Sequence, residues 1–271
     1  MKMIAIGDNV ADCYLDQKKF YPGGNCVNVA VSAKKNGAEH VSYIGIFGSD
    51  EIAKHIEYAL DQEGVDHLHC RYAKGMSGQP QVSLTKEGER IFVGGPRNTV
   101  QHIFKIQLTM EELKFIADFD LCHVSVYSSM ESELEKLSDV IKISYDFSNQ
   151  LDLSYIRKVA PYISYAFFSA SDLSALELDE FIDSLQEFNF KVVGLTRGRK
   201  PAMFIYNSKI YTQILRPISV IDTMGAGDSL IGGFLVSYLS NHSIEEAISI
   251  GTSSAEKTCQ IDGGFGYPHS L

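Results

Sequence analysis

The chain has 271 residues and a mass of 30.1 kDa, which is room for one large domain or two ordinary ones. Hydrophobic residues make up 45% and charged residues 21%, excluding a disordered chain or a fibre. The formal charge of −10 argues against a nucleic-acid partner, yet it leaves room for an anionic ligand at a local site of opposite sign.

Met3–Ile6 predicts a first buried strand that stops at Gly7-Asp8-Asn9. Ala11–Tyr21 lacks helical periodicity. Asn25–Asn36 predicts a helix with Gly37 as its C′ residue. Val41–Ile46 is the next strand. Asp50–Gln62 places Ile52, Ile56 and Leu60 on one stripe of a helix, for which Ser49 is the expected cap. Arg71–Gly95 breaks the pattern again. Within it Gln81–Thr85, the turn Lys86-Glu87-Gly88-Glu89 and Arg90–Val93 predict a hairpin. A hairpin inserted among parallel strands is expected to form a small separate sheet, with Ala11–Tyr21 beside it.

Thr109-Met110-Glu111-Glu112 has the form of a capping box before Leu113 and Ile116. Strands are expected over Leu121–Val126, Ile141–Phe147, Ala166–Ser169 and Lys191–Thr196. A second hairpin, Ala202–Tyr206 with Lys209–Gln213, is expected at an edge of the main sheet. Gly225–Leu239 and Ile244–Cys259 are the closing helices. The alternation predicts an α/β fold with a doubly wound, mostly parallel sheet and helices on both faces. No repeat or linker divides residues 1–271, so a single domain is expected. No apolar run approaches the ~20 residues of a bilayer span, so no membrane partner is expected. The five scattered cysteines show neither C-x-x-C nor zinc spacing and suit a reducing, cytoplasmic setting. His67-x-His69 has strand spacing for a shared metal but no evident third ligand, and surface histidines are the simpler reading.

Three stretches carry chemistry. In Asp222-Thr223-Met224-Gly225-Ala226-Gly227-Asp228-Ser229 a small-residue turn runs into a helix. Bare backbone N–H groups and the helix dipole at such a turn favour a phosphate. Asp228 would repel that phosphate, but it is well placed to take a proton from an attacking alcohol. An ordinary helix with an acidic first turn reads the same way locally. In Gly23-Gly24-Asn25-Cys26-Val27-Asn28 two glycines precede a helix that carries two amides on one face. Such amides suit a polyol, and equally a capped glycine turn. Asp8 and Asp12 follow the first strand, at the carboxyl edge where doubly wound sheets bind ligands.

Gly23-Gly24 with Asn28, followed some two hundred residues later by Asp222-Thr223-x-Gly225-Ala226-Gly227-Asp228, resembles the PfkB (ribokinase-like) carbohydrate kinases over essentially the whole chain. The resemblance implies a ribokinase-like fold with a small β lid formed by about 11–21 and 71–95. It implies an ATP-dependent kinase acting on a primary hydroxyl of a sugar or sugar-amine. Fructoselysine is the expected acceptor; another ketohexose, a pentose or a nucleoside is the alternative, as is a silent sensor of the same fold. Asp228 would be the base, and the backbone of Gly225, Ala226 and Gly227 the anion hole. Asp12, Gly24 and Asn28 would hold the sugar, and Thr196 and Gly198 would bind nucleotide. Asp222 would bind a monovalent cation such as K⁺ through backbone oxygen. Many members carry Asn-x-x-Glu after a middle strand where this chain has Ser169-Ala170-Ser171-Asp172, so Asp172 and Asp146 are the candidates for Mg²⁺. The lid implies a homodimer.

Overall fold

The computed structural model describes residues 1–84 and 90–271. β1 (Lys2–Ile6), β2 (Val10–Tyr14) and β3 (Lys19–Gly23) lead into α1 (Asn25–Lys35). β4 (His40–Ile44), β5 (Ile46–Phe47), α2 (Glu51–Glu63), β6 (Arg71–Tyr72), β7 (Gln81–Leu84) and β8 (Arg90–Gly94) follow. Then come α3 (Val100–Ile103), α4 (Met110–Ile116), β9 (Leu121–Ser125), α5 (Leu134–Ser138), β10 (Ile143–Asp146) and α6 (Leu153–Val159). The chain ends with β11 (Tyr165–Ser169), α7 (Ala175–Leu185), β12 (Val192–Arg197), β13 (Lys200–Tyr206), β14 (Lys209–Thr212), α8 (Ala226–Leu239), α9 (Ile244–Thr258) and β15 (His269–Ser270).

Eight strands form the main sheet in the order β14-β13-β12-β11-β10-β9-β1-β4. The six from β4 to β12 are parallel, and the β13–β14 hairpin closes one edge antiparallel. Side chains alternate along each strand, so the two faces separate cleanly. Met3 and Ala5 join the core beneath α1, α2, α8 and α9, while Ile4 and Ile6 join the one beneath α4 to α7. Both faces are covered, which is why β1 reads as one apolar run.

Two helices approach each other closely enough to matter for function. A Cβ on Gly232 of α8 would lie 2.6 Å from Ser32 Cβ of α1. Ser32 Oγ donates to Ser229 O at 2.9 Å. Only glycine allows this contact, and it brings the first turns of α1 and α8 together.

The second sheet has the order β15-β3-β2-β7-β8. It combines the two segments that lack helical periodicity, with β7 and β8 antiparallel. The turn expected at Lys86-Glu87-Gly88-Glu89 lies outside the described residues. Tyr14, Tyr21 and Val82 of this sheet form a small core with Met224. Ile91, Phe92 and Val93 on β8 remain more than half exposed, at 52%, 55% and 53%.

Two local expectations are corrected. Asp50, not Ser49, caps α2: its Oδ1 accepts from Ala53 N at 3.0 Å, and its carboxylate also takes Ser77 N and Oγ. The strand expected over Val41–Ile46 splits at Gly45, where a Cβ would strike the Tyr43 hydroxyl. The capping box at Thr109 and Glu112 is present as expected. His67 bonds Asp61 at 3.0 Å and His69 stacks on Phe115 with centroids 4.0 Å apart. No group of three metal-ligating side chains occurs among the described residues.

Candidate active site

Gly24 caps α1 with φ +104, and a Cβ there would lie 2.7 Å from Asp8 O. The absent side chain lets α1 start directly against the carboxyl end of β1. Asn25 N–H then donates to Asp8 Oδ2 at 2.7 Å, a carboxylate at the positive end of the helix. Burial pushes the Asp8 carboxyl above its usual range, opposed by that hydrogen bond.

α8 begins at Gly225, whose φ of +70 turns the chain sharply inward. A Cβ on it would lie 2.8 Å from Gly264 Cα. Ala226 N–H is taken by Thr223 O at 3.2 Å, and Ser229 N–H starts the helical ladder on Gly225 O at 2.8 Å. Between them, a Cβ built on Gly227 would meet nothing within 4 Å, so the turn opens onto free space. Asp228 sits at that opening. Its Oδ1 accepts from Asn25 Nδ2 and its Oδ2 from Asn28 Nδ2, both at 2.7 Å. A carboxylate held by two amides is oriented yet remains a proton acceptor.

The same Asn25 Nδ2 also donates to Asp146 Oδ2 at 2.8 Å. Asn25 Oδ1 lies 3.0 Å from His123 Nε2, and His123 Nδ1 lies 3.0 Å from Ser144 Oγ. Burial pushes the His123 pKa down to about 3, so the ring is neutral. Asn25 must turn its nitrogen to the carboxylates, so its oxygen accepts and the imidazole proton is assigned to Nε2. Asn25 is therefore locked from both ends. Asp146 Oδ1 accepts from Ser148 N at 2.8 Å. Burial first, and repulsion from Asp228 second, raise Asp146 to about 7.

Asp228, Asn28, Gly225 and Gly24 thus come together, joined by Asp146, Asp8 and Asn25. Asp12 is 3% exposed on β2, with its carboxylate over Gly23, where a Cβ would collide with Oδ2. Asn28 Oδ1 is buried beside Gly264 with no hydrogen-bond partner among the described residues. Asp222 is fully buried, and its side chain accepts from Tyr14 Oη at 2.5 Å, Gly263 N at 2.9 Å and Met224 N at 2.9 Å. It ties the second sheet to the glycine turn.

Thr196 is the penultimate residue of β12 and donates to Phe168 O at 3.3 Å; Gly198 turns with φ +61 beside Ser171. Asp172 is exposed on that neighbouring loop, where it accepts from Ser171 Oγ at 3.3 Å. These three line the carboxyl ends of β11 and β12, while Asp146 sits at the end of β10 in the Asn25 network. The two Mg²⁺ candidates therefore occupy different loops.

The network also contains residues with little sequence signal. Asn25 is not among them: it stands three residues before Asn28 on the same helix face, the paired amide visible in the sequence. His123 and Ser125 carry none, because each is polar within an apolar strand, and Ser148 stands out only as part of the stretch Asp146-Phe147-Ser148. Gly264 approaches from the far end of the chain.

The family described as pfkB family carbohydrate kinase matches residues 3–265. Fructosamine kinase of Bacillus subtilis (strain 168) is 42% identical over 273 residues, spanning 100% of this chain and 96% of that protein. Fructoselysine 6-kinase of Escherichia coli (strain K12) is 31% identical over 268 residues, spanning 98% and 100%. The structure of Arabidopsis thaliana ribokinase complexed with ribose and ATP superposes with a TM-score of 0.80 at 17% identity, covering 98% of this chain and 95% of that one. The fold is ribokinase-like, and the chain belongs to the pfkB family of carbohydrate kinases.

Proposed function

We propose that this kinase transfers the γ-phosphate of ATP to the primary hydroxyl of fructoselysine, giving fructoselysine 6-phosphate. The observation that carries the chemistry is Asp228 at the mouth of the Gly225–Gly227 turn, held by Asn25 and Asn28. The likeness to the two whole-length relatives supports the substrate.

Asp12, Gly24 and Asn28 hold the sugar hydroxyls, the unpartnered Asn28 Oδ1 accepting one of them. Asp228 accepts the proton of the primary hydroxyl as its oxygen attacks phosphorus. The backbone N–H groups of Gly225, Ala226 and Gly227 take up negative charge as the bond to the leaving ADP oxygen breaks, Ala226 N–H exchanging Thr223 O for the phosphate. Thr196 and Gly198 sit on the nucleotide side. The second sheet acts as the lid over the sugar and as the dimer contact.

Mg²⁺, when bound with ATP, neutralises phosphate charge. The donors present suit a metal that arrives on the phosphates and takes one or two carboxylates from the protein, Asp172 and Asp146 being the candidates. K⁺ would meet backbone oxygen at Asp222, since the side chain is engaged by Tyr14, Met224 and Gly263. The setting is the cytoplasm; among the described residues no helix is long and apolar enough to cross a membrane.

A turnover panel with ATP and Mg²⁺ tests this reading. Fructoselysine should give the highest kcat/KM against fructose, ribose and nucleosides. Preference for a neutral sugar or a nucleoside refutes the substrate, and no turnover with any of them favours a silent sensor.

A further inference from the structure

We infer that Asp146 and Tyr127 form the subsite that recognises the positively charged amine of the substrate. The inference rests on the sugar-amine reading above; of the two Mg²⁺ candidates it gives Asp146 to the amine and leaves Asp172 to the metal.

The argument starts from unbalanced charge. Asp8, Asp146 and Asp228 surround Asn25, and every partner named for Asp8 and Asp146 is neutral: an amide, a hydroxyl or a backbone N–H. Among the described residues neither Asp8 nor Asp146 takes part in an ion pair. Buried carboxylates without a cation are costly, and a ligand that brings the cation relieves that cost.

Position distinguishes Asp146 within the cluster. Its Oδ2 and Asp228 Oδ1 accept from the same nitrogen, at 2.8 and 2.7 Å, so the two oxygens lie within two hydrogen-bond lengths. In the furanose form of a ketohexose, C6 and the C1 substituent flank the ring oxygen. A sugar whose C6 hydroxyl meets Asp228 can therefore present an amine on C1 to Asp146. Asp8 shares no donor with Asp228; its oxygens accept from Asn25 N–H and Ser125 Oγ.

Tyr127 is a second, independent feature of the same spot. It is 57% exposed, an unusual place for an aromatic ring beside buried acids. Its hydroxyl pairs with Ser148 Oγ at 2.8 Å, and Ser148 N donates to Asp146 Oδ1. Its own N–H donates to Ser125 Oγ at 3.2 Å, the hydroxyl that reaches Asp8. Ser148 and Ser129 on either side hold left-handed φ values of +50 and +52, so the ring is set by strained loops rather than left to drift. Burial raises the Tyr127 phenol, and the nearby Asp146, Asp8 and Asp228 raise it further. An exposed ring beside a carboxylate is a combination that binds ammonium, by cation–π attraction on one side and a charge-assisted hydrogen bond on the other. The exposed side leaves room for the rest of the lysine to pass into solvent.

The test is a specificity ratio. kcat/KM is measured for fructoselysine and for fructose in the parent, Asp146→Asn and Tyr127→Leu, with saturating ATP and Mg²⁺. The fructoselysine-to-fructose ratio should fall about 10- to 100-fold in Asp146→Asn, and several-fold in Tyr127→Leu. Most of the change should lie in KM for fructoselysine. In the parent, N-acetylating the substrate amine should remove the same advantage with no mutation at all. A ratio within two-fold of the parent in both variants overturns the inference, as does an equal loss on both sugars. A raised Mg²⁺ requirement in Asp146→Asn with the ratio intact assigns that carboxylate to the metal and overturns it too. A parent that does not prefer fructoselysine overturns the substrate reading and this inference together. A selective parent with unaltered variants overturns this inference alone.

Discussion

Asp228→Asn isolates the proton acceptor with little change in shape. The parent carboxylate receives two amide donors, from Asn25 and Asn28, at 2.7 Å each. The new amide can offer oxygen to only one of them. Asn25 cannot turn, because its oxygen is held by His123 Nε2 and its nitrogen by Asp146. The new oxygen therefore faces Asn25 and the new NH₂ faces Asn28. Asn28 can flip, since its Oδ1 has no partner to lose. The flip keeps both hydrogen bonds but puts the Asn28 NH₂ where Oδ1 stood, a buried donor unpaired until a sugar hydroxyl accepts from it, at a cost of roughly 1 kcal/mol. Removing one of three neighbouring carboxylates offsets that cost, because the Asp228 charge repels that of Asp146. The fold and the thermal midpoint should thus hold within a few degrees. Loss of a positioned general base lowers kcat by roughly 10²–10⁴, or about 2.7–5.5 kcal/mol of barrier. Coupled ADP release measures kcat, and calorimetric titration measures sugar affinity, which should change little. Turnover within a few-fold of the parent would refute the role given to Asp228. A loss of sugar binding as large as the loss of kcat would show that it holds substrate rather than taking the proton.

Asp12→Ala should weaken sugar binding about 10- to 150-fold while ATP affinity changes little, since charge-assisted hydrogen bonds are worth roughly 1.5–3 kcal/mol; equal losses on both ligands in calorimetry point to a structural role. The chain should be a homodimer through the exposed Ile91, Phe92 and Val93 of β8, because a bare apolar ribbon is marginal in water. Light scattering should therefore give twice 30.1 kDa, and Phe92→Asp should halve that mass with the fold retained; a concentration-independent monomer in the parent sinks the dimer. Asp146, raised from 3.8 to about 7, contributes stability that is fully present below the unfolded pKa and lost as pH rises through 7. Asp146→Asn should accordingly raise Tm by several degrees at pH 8 and by much less at pH 5. An increment that does not vary with pH contradicts the raised pKa.

Local chemistry carried much of the fold in the sequence. β1 was legible because Met3–Ile6 is apolar on both faces, and a parallel strand needs only that pattern. The capping box at Thr109 and Glu112 closes within four residues, so its partners are adjacent in the chain. Gly225 and Gly227 announced an opening turn because a left-handed φ and a missing Cβ are properties of the residue itself.

The tertiary structure decided what depends on distant partners. Ser49 and Asp50 are both good caps by type; Asp50 wins because Ser77, far along the chain, also bonds its carboxylate. Gly45 interrupts a strand that composition favours because the Tyr43 hydroxyl occupies the space of its Cβ. Asn25 and Asp228 are 203 positions apart and Asn25 and Asp146 are 121 apart, so no local pattern relates them. They meet because Gly24 seats α1 against β1 and Gly232 lets α8 pack on Ser32. A short local motif can thus mark where a phosphate goes. The carboxylates around it take their charge and their roles from burial and from one another, and those exist only once the chain has folded.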